Sequence, residues 1–321
     1  MTETEASNRL LREIFLAGFM AGLPAENVKW AAARLAQNMS DVRLRAGDVL
    51  YRQGELADAH YFVVTGEIRL EAEGLPQWHL GERSLVGTLD ITLERPRARN
   101  AIAERDSFVL RMPAGDWLDM LEDNFELTLR AVQGLADGVH RLSVELGDFE
   151  SDPPSPAGAR MRPEPSGSLG FVERMLLLRG VPLFAGAEVQ ALTNLAELAT
   201  EVSYAAGELL VERDQPSESM FVVVSGEVTA ARADSARVQR FGPGMLVFRY
   251  AAASPKDLGY DARADTPTRA LRIAREDYYD VMEEHFALAR SSMRALAAER
   301  EVLVNEKERR AGNVSRTTEA P

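Results

Sequence analysis

The sequence predicts an α+β protein built from two related units in tandem. Three observations lead there: an internal repeat, strand-like runs punctuated by glycine, and an apolar 4-3 seam on the last helical pattern of each half. The repeat is the most direct. "AGDVLYRQGELADAHYFVVTGEI" (46–68) and "AGELLVERDQPSESMFVVVSGEV" (206–228) superpose at a separation of 160 residues, which brings Gly47 onto Gly207 and Gly66-Glu67 onto Gly226-Glu227. At a separation of 161, "DWLDMLEDNFEL" (116–127) meets "DYYDVMEEHFAL" (277–288). Two distant blocks matching at nearly one offset mark a tandem duplication.

Each half reads helix, strands, helix. Residues 7–38 and 171–200 carry helical patterns, the second with Leu192, Leu195 and Leu198 near helical spacing. Strand-like runs follow, as in "HYFVVTGEIRLEAEG". A long helix closes each half. In the first, Leu121, Phe125, Thr128, Val132, Leu135, Val139 and Leu142 step by four and three. In the second, Met282, Phe286, Ala289, Met293 and Leu296 do the same, with Leu303 a heptad beyond. Such a seam fits knobs-into-holes packing against another helix, either within the chain or between chains as a homodimer through the long helices. Between the halves, "LGDFESDPPSPAGARMRPEPSGSLG" (146–170) is rich in Pro, Gly and Ser and reads as a flexible linker. The expected domains are therefore 1–145 and 171–305, with a flexible tail over 306–321.

Composition narrows the function classes. The chain has no Cys, so disulfides, thiolate nucleophiles and Cys-based zinc sites are excluded. Its net charge of −13 opposes nucleic-acid binding, which draws on Lys and Arg to release counterions. The N-terminal residues lack the pattern of a signal peptide, and no apolar run is long enough to span a bilayer. The expectation is a cytoplasmic protein without membrane contact. His60, His79, His140 and His285 lie far apart, with the last two assigned to the closing helices, and no metal site is expected. Without a nucleophile motif, P-loop or paired carboxylates, the chain reads as a non-enzyme.

The candidate site is "VGTLDITLERPRARNAIA" (86–103). A cyclic phosphate is a monoanion, well held by an arginine fork together with backbone N–H groups. Arg97 supplies the fork, Ala98 lets the backbone approach closely, and Pro96 fixes the chain just ahead. The glycine spacing Gly47, Gly54 and Gly66, the helix–strands–long helix order and this stretch together resemble the cyclic-nucleotide-binding domains of catabolite activator protein and of the regulatory subunits of cAMP-dependent protein kinase. The stretch is similar to that family's phosphate-binding cassette, F-G-E-L-A-L, a spacer, then P-R-A-A-T.

The resemblance implies two jelly-roll-like β-barrels, each flanked by an N-terminal helix and a long C-terminal helix. It also implies a tentative cyclic-nucleotide site at Gly87, Thr88, Leu89, Arg97, Ala98 and Arg99, with cAMP or cGMP as ligand and no other cofactor. Thr88 stands where the family has a glutamate for the ribose hydroxyl; its hydrogen bond is not charge-assisted and is about half as strong. Arg99, at a position that is small in the family, either strengthens phosphate attraction or crowds the pocket. In the second half Lys256 takes the arginine's place, a point charge without the fork, beside Asp257.

Two readings follow. One is a regulatory adaptor whose first domain senses a cyclic nucleotide and relays it through its long helix to a protein partner. The other is an interaction scaffold in which both pockets are degenerate. DNA binding is not expected, because only a short stretch follows the second long helix.

Overall fold

The computed structural model describes residues 25–147, 167–213, 215, 218–233, 238–247 and 259–318. The protein is α+β, with two copies of one strand arrangement. In the first domain β1 (Ser40–Leu44), β8 (Ser107–Pro113), β3 (Ala59–Thr65) and β6 (Leu85–Val86) form one antiparallel sheet in that order. The other sheet is β2 (Val49–Tyr51), β7 (Asn100–Ala103), β4 (Glu67–Glu71) and β5 (Trp78–Gly81). One core, drawn from both sheets, contains Tyr51, Tyr61, Val63, Ile68, Leu70, Val86, Ala101 and Val109. The expected jelly-roll-like barrel is thus a pair of four-stranded sheets over a shared core, and is not closed.

The second domain repeats the order strand for strand. β9 (Thr200–Tyr204), β16 (Thr268–Ala274), β11 (Ser219–Ser225) and β14 (Leu246–Val247) form its first sheet. β10 (Leu209–Val211), β15 (Tyr260–Ala264), β12 (Val228–Arg232) and β13 (Val238–Phe241) form its second. The register irregularities repeat as well, at Val63/Thr65 and Val223/Ser225, and at Val49/Tyr51 and Leu209/Val211. Such bulges kink a strand at a set point, so their recurrence shows that the duplication preserved curvature as well as order.

The helices are more broken than the sequence periodicity suggests. Around the first domain lie α1 (Ala25–Asn38), the five-residue α2 (Thr88–Thr92), α3 (Ala114–Glu122) and α4 (Phe125–Glu145). The expected closing helix, whose seam runs from Leu121 to Leu142, is therefore interrupted after Glu122. In the second half α5 (Phe171–Arg179) and α6 (Val189–Leu198) divide the expected 171–200 helix, with Gly180 and Pro182 between them. α7 (Arg275–Glu284) and α8 (Phe286–Thr318) close it. His285 sits in the break between these last two, not on a helix, and its backbone at φ −132° and ψ 87° ends α7. Helical backbone continues to Thr318, beyond the 305 boundary read from the sequence. The expected linker 146–170 lies, over 148–166, outside the described residues. Contacts divide the chain within α4: one compact unit runs up to Leu127 and takes in the residues from Glu308, and the other is Thr128–Lys307. Among the described residues no helix is long and apolar enough to cross a membrane.

The duplicated hairpin is built by the same bonds in both halves. The backbone N–H of Gly47 donates to the Ala103 carbonyl at 2.8 Å, and that of Gly207 to the Ala264 carbonyl at 2.7 Å. Asp48 and Glu208 each accept, at 2.8 Å, the backbone N–H three residues before them. Gly66 (φ 100°) and Gly226 (φ 88°) then turn the chain where strands approach closely. A Cβ on Gly66 would lie 2.6 Å from Ser107 Cα, and one on Gly226 2.8 Å from Thr268 Cα. Only glycine meets both the positive φ and that approach. Glu67 and Glu227 share this turn: Glu104 and Asp265 donate their backbone N–H groups to the Glu67 and Glu227 carbonyls. That common backbone role accounts for the shared turn and its glycines; a carbonyl does not itself select glutamate.

Gly66→Ala is expected to destabilise the protein by about 2–3 kcal/mol, adding backbone strain to a steric clash. Gly74→Ala is the control, since Gly74 has a positive φ of 73° but open space around it, and should cost about 1 kcal/mol. Urea unfolding curves of the two variants check the difference.

Candidate functional site

The cassette of the first domain begins where β6 ends. Gly87, at φ 83°, turns the chain into the single-turn helix α2, in which Asp90 and Ile91 are buried. Leu89 is half-buried and its carbonyl accepts the Leu93 N–H that ends the turn. Arg95 then folds back, its Nε donating to Asp90 Oδ1 at 2.9 Å. Pro96 is exposed and hands the chain on to Arg97, whose backbone pairs with the 54–55 turn. Its N–H donates to the Glu55 carbonyl at 2.8 Å, and its carbonyl accepts from Gly54 N–H at 2.9 Å. That pairing shows what Gly54, the second glycine of the hairpin pattern, contributes to the site.

From Arg97 the chain alternates. Arg97, Arg99, Ala101 and Ala103 are buried, and Ala98 and Asn100 are half-buried between them. This period of two runs on into β7, so both arginines, in the extended residues just before the strand, point inward like Ala101 and Ala103 within it. Arg97 is only 2% exposed. Its Nη1 donates to the Gly87 carbonyl at 2.7 Å, its Nη2 donates to the Ala59 carbonyl, and its guanidinium carbon lies 4.3 Å from the Tyr51 ring centroid. The Nε is buried without a hydrogen-bond partner. Arg99 is 3% exposed, with its guanidinium carbon 3.9 Å from the centroid of Trp78. Gly87 is required twice over, since a Cβ there would stand 2.5 Å from Arg97 Nη1 as well as straining a positive φ.

Thr88 is half-buried and its hydroxyl is engaged by the protein itself. His60 Nδ1 lies 3.1 Å from Thr88 Oγ1, and the imidazole meets Trp117 edge-on at 5.8 Å. Burial first, and then the nearby charge of Arg97, hold the His60 pKa down at about 3, so the ring is neutral near pH 7. Burial likewise pushes the Tyr51 hydroxyl far above its ordinary range, against the pull of Arg97. Tyr51 therefore stays protonated and offers its ring face to the cation.

The six positions read from the sequence thus fall in two places: Gly87, Thr88 and Leu89 at the turn into α2, and Arg97, Ala98 and Arg99 in the residues leading into β7. His60, Tyr51, Ala59 and Trp78 complete the site and were not singled out for it. His60 was weighed only as a metal ligand, although its place in the apolar run "AHYFVV" marks it as buried. Among the described residues no group of three or more His, Asp or Glu is placed to hold a metal ion.

In the second half Lys256 lies outside the described residues. The positions matching Tyr51, Ala59 and Tyr61 are Val211, Ser219 and Phe221. They border a cavity of about 340 Å³ that Glu212, Gln215 and Glu218 also line. Two carboxylates at that rim oppose an anion such as a phosphate.

Arg97→Ala leaves two buried carbonyls without their donor and removes the contact with Tyr51. It is expected to cost about 2–4 kcal/mol in urea unfolding, with Arg97→Lys recovering less than half because it has no fork. His60 adds a dependence on acid. The unfolded chain takes up its proton near the ordinary value of 6.5, the folded chain only near 3. Its contribution is complete above about pH 6.5 and is lost as the pH falls, by about 1.4 kcal/mol per unit. Stability measured between about pH 6 and 4 should fall less steeply in His60→Gln, whose side chain titrates no proton.

The chain is similar to several known proteins. The family model described as "Cyclic nucleotide-binding domain" matches residues 41–124 and 201–285, together just over half of the chain. Glutaminase 2 of Bradyrhizobium diazoefficiens is 30% identical over 116 residues, 36% of this chain and 18% of that protein. Lysophospholipase nte1 of Aspergillus fumigatus is 28% identical over 151 residues, 44% of this chain and 10% of that one. The chain thus spans less than a fifth of the length of either relative. Among solved structures, the regulatory domain of Toxoplasma gondii PKA with cAMP is 12% identical, with a TM-score of 0.31 over 88% of this chain and 94% of that one. The N-terminal domain of a transcriptional regulator from Streptomyces coelicolor is 25% identical, with a TM-score of 0.34 over 38% of this chain and 90% of that one. Matched by the family model in each half, the chain belongs to the cyclic nucleotide-binding domain family and carries two copies of the domain in tandem.

Proposed function

We propose that the chain is a non-enzymatic regulatory protein whose tandem domains serve as interaction modules, with the first nucleotide pocket filled by its own side chains. One observation carries this reading. Arg97, the residue that would hold a cyclic phosphate, is 2% exposed and directs both terminal nitrogens to the backbone carbonyls of Gly87 and Ala59. A phosphate would have to draw that fork away from two buried acceptors and from Tyr51, and the orphaned acceptors would cost about 1–3 kcal/mol each. Arg99 is buried as well, with its guanidinium over Trp78. The sugar position is compromised as well, since the Thr88 hydroxyl is bonded to His60.

The sensor reading keeps one observation in its favour. Arg97 Nε is buried without a partner, and a buried N–H of a charged group gains from an acceptor. In that reading cAMP or cGMP would take this donor and reposition α2, and the output would pass to a separate protein, for which we propose a cytoplasmic location. Isothermal titration of the full chain with cAMP and with cGMP separates the two. The expected result is no saturable heat at millimolar nucleotide. Saturable binding that Arg97→Ala abolishes would establish the sensor instead.

A further inference from the structure

Helix α4 from Thr128 onward lies in the same compact unit as α8 up to Lys307. Two contacts fix how these helices meet. Glu145 Oε2 accepts a hydrogen bond from Lys307 Nζ at 2.7 Å, across 162 residues of sequence. One heptad earlier, Gly138 faces Arg300, where a Cβ on the glycine would lie 3.6 Å from the arginine Nε; this pair is also 162 residues apart. In an antiparallel pair the sum of the two residue numbers stays constant along the seam. Here the difference stays constant, so the helices run parallel.

That difference is also nearly the repeat offset. The closing helices match in sequence at 161, so each residue meets the neighbourhood of its own repeat-mate. The buried positions follow the same rule. Thr128 and Ala289, Val132 and Met293, Ala136 and Ala297, and Leu142 and Leu303 are mates at 161, and all eight are buried. Two identical helices pair parallel and in register when a twofold axis runs along their seam, because such an interface brings the same surface of each copy together.

We propose that α4 and α8 form a dimer seam carried within one chain: the duplicated halves pair their closing helices with each other as two separate copies would. The seam departs from symmetry at Val139. Val139 is buried, whereas its mate is Arg300, whose side chain runs past Gly138. The occupant of each closing helix's apolar face is thus the other half of the same chain. A homodimer through these helices has no seam left to use, and a protein partner must bind elsewhere.

The absence of Cys makes the test clean. Under mild oxidation of the full-length protein, Gly138→Cys/Arg300→Cys is expected to form a disulfide within one chain. The product should migrate faster without reductant and keep the 35.4 kDa mass of a monomer in light scattering. Gly138→Cys alone should give no covalent dimer. A second pair, Glu145→Cys/Lys307→Cys, lies on the exposed rim and is joined by a short bis-maleimide, which covers the case in which the first pair disturbs folding. Covalent dimers from the single variant, cross-links between chains in either pair, or folded protein in which neither pair links would each overturn the proposal.

Discussion

The guanidinium of Arg97 donates to the carbonyls of Gly87 and Ala59 while lying over the ring of Tyr51, and these contacts tie together three separate parts of the first domain. The start of β3, the turn into α2 and the end of β2 all converge on one buried cation. Desolvating a guanidinium is costly, so its bonds must be made well for the site to be stable. Much of the surrounding sequence answers to that need. Gly87 leaves room for the fork, and the backbone pairing of Arg97 with the 54–55 turn sets where the side chain starts. His60 remains neutral beside the charge. The cassette is therefore organised around its arginine whether or not a nucleotide ever meets it.

Much of the fold was legible in the sequence because it recurs. The 160-residue repeat, the glycines at 47, 54 and 66, and the 4-3 seams each reflect a backbone requirement that few residue types satisfy. Helix boundaries were less legible. A periodic apolar pattern runs through Asp123 and Asn124 and through His285, although the helix itself stops at both places. Periodicity records which face is buried, and a break that preserves the face leaves the pattern unchanged.

The site was legible by position and not by state. The sequence located Gly87, Thr88, Arg97 and Arg99 on one segment, but where a guanidinium points depends on acceptors far away along the chain. Ala59, 38 residues before Arg97, offers only a backbone carbonyl, which no side-chain pattern can mark. Trp78 and Tyr51 are ordinary core aromatics until the arginines are placed on them. The place of Arg99 likewise depends on a distant residue, Trp78, over whose ring its guanidinium lies.

The near-equality of the helix register and the repeat offset has a consequence for how the sequence can vary. In a homodimer every substitution appears on both sides of the axis, so a change that suits one side must suit the other. Two paired helices within one chain are encoded separately and escape that rule. Arg300 at the position that mates with Val139 is a kind of difference a symmetric pair could not hold. The same release applies to the surroundings of Arg97 and their mates in the second half, where Val211, Ser219 and Phe221 border a cavity that Glu212 and Glu218 also line. The duplication gave this chain two versions of a single domain that were free to become unlike each other.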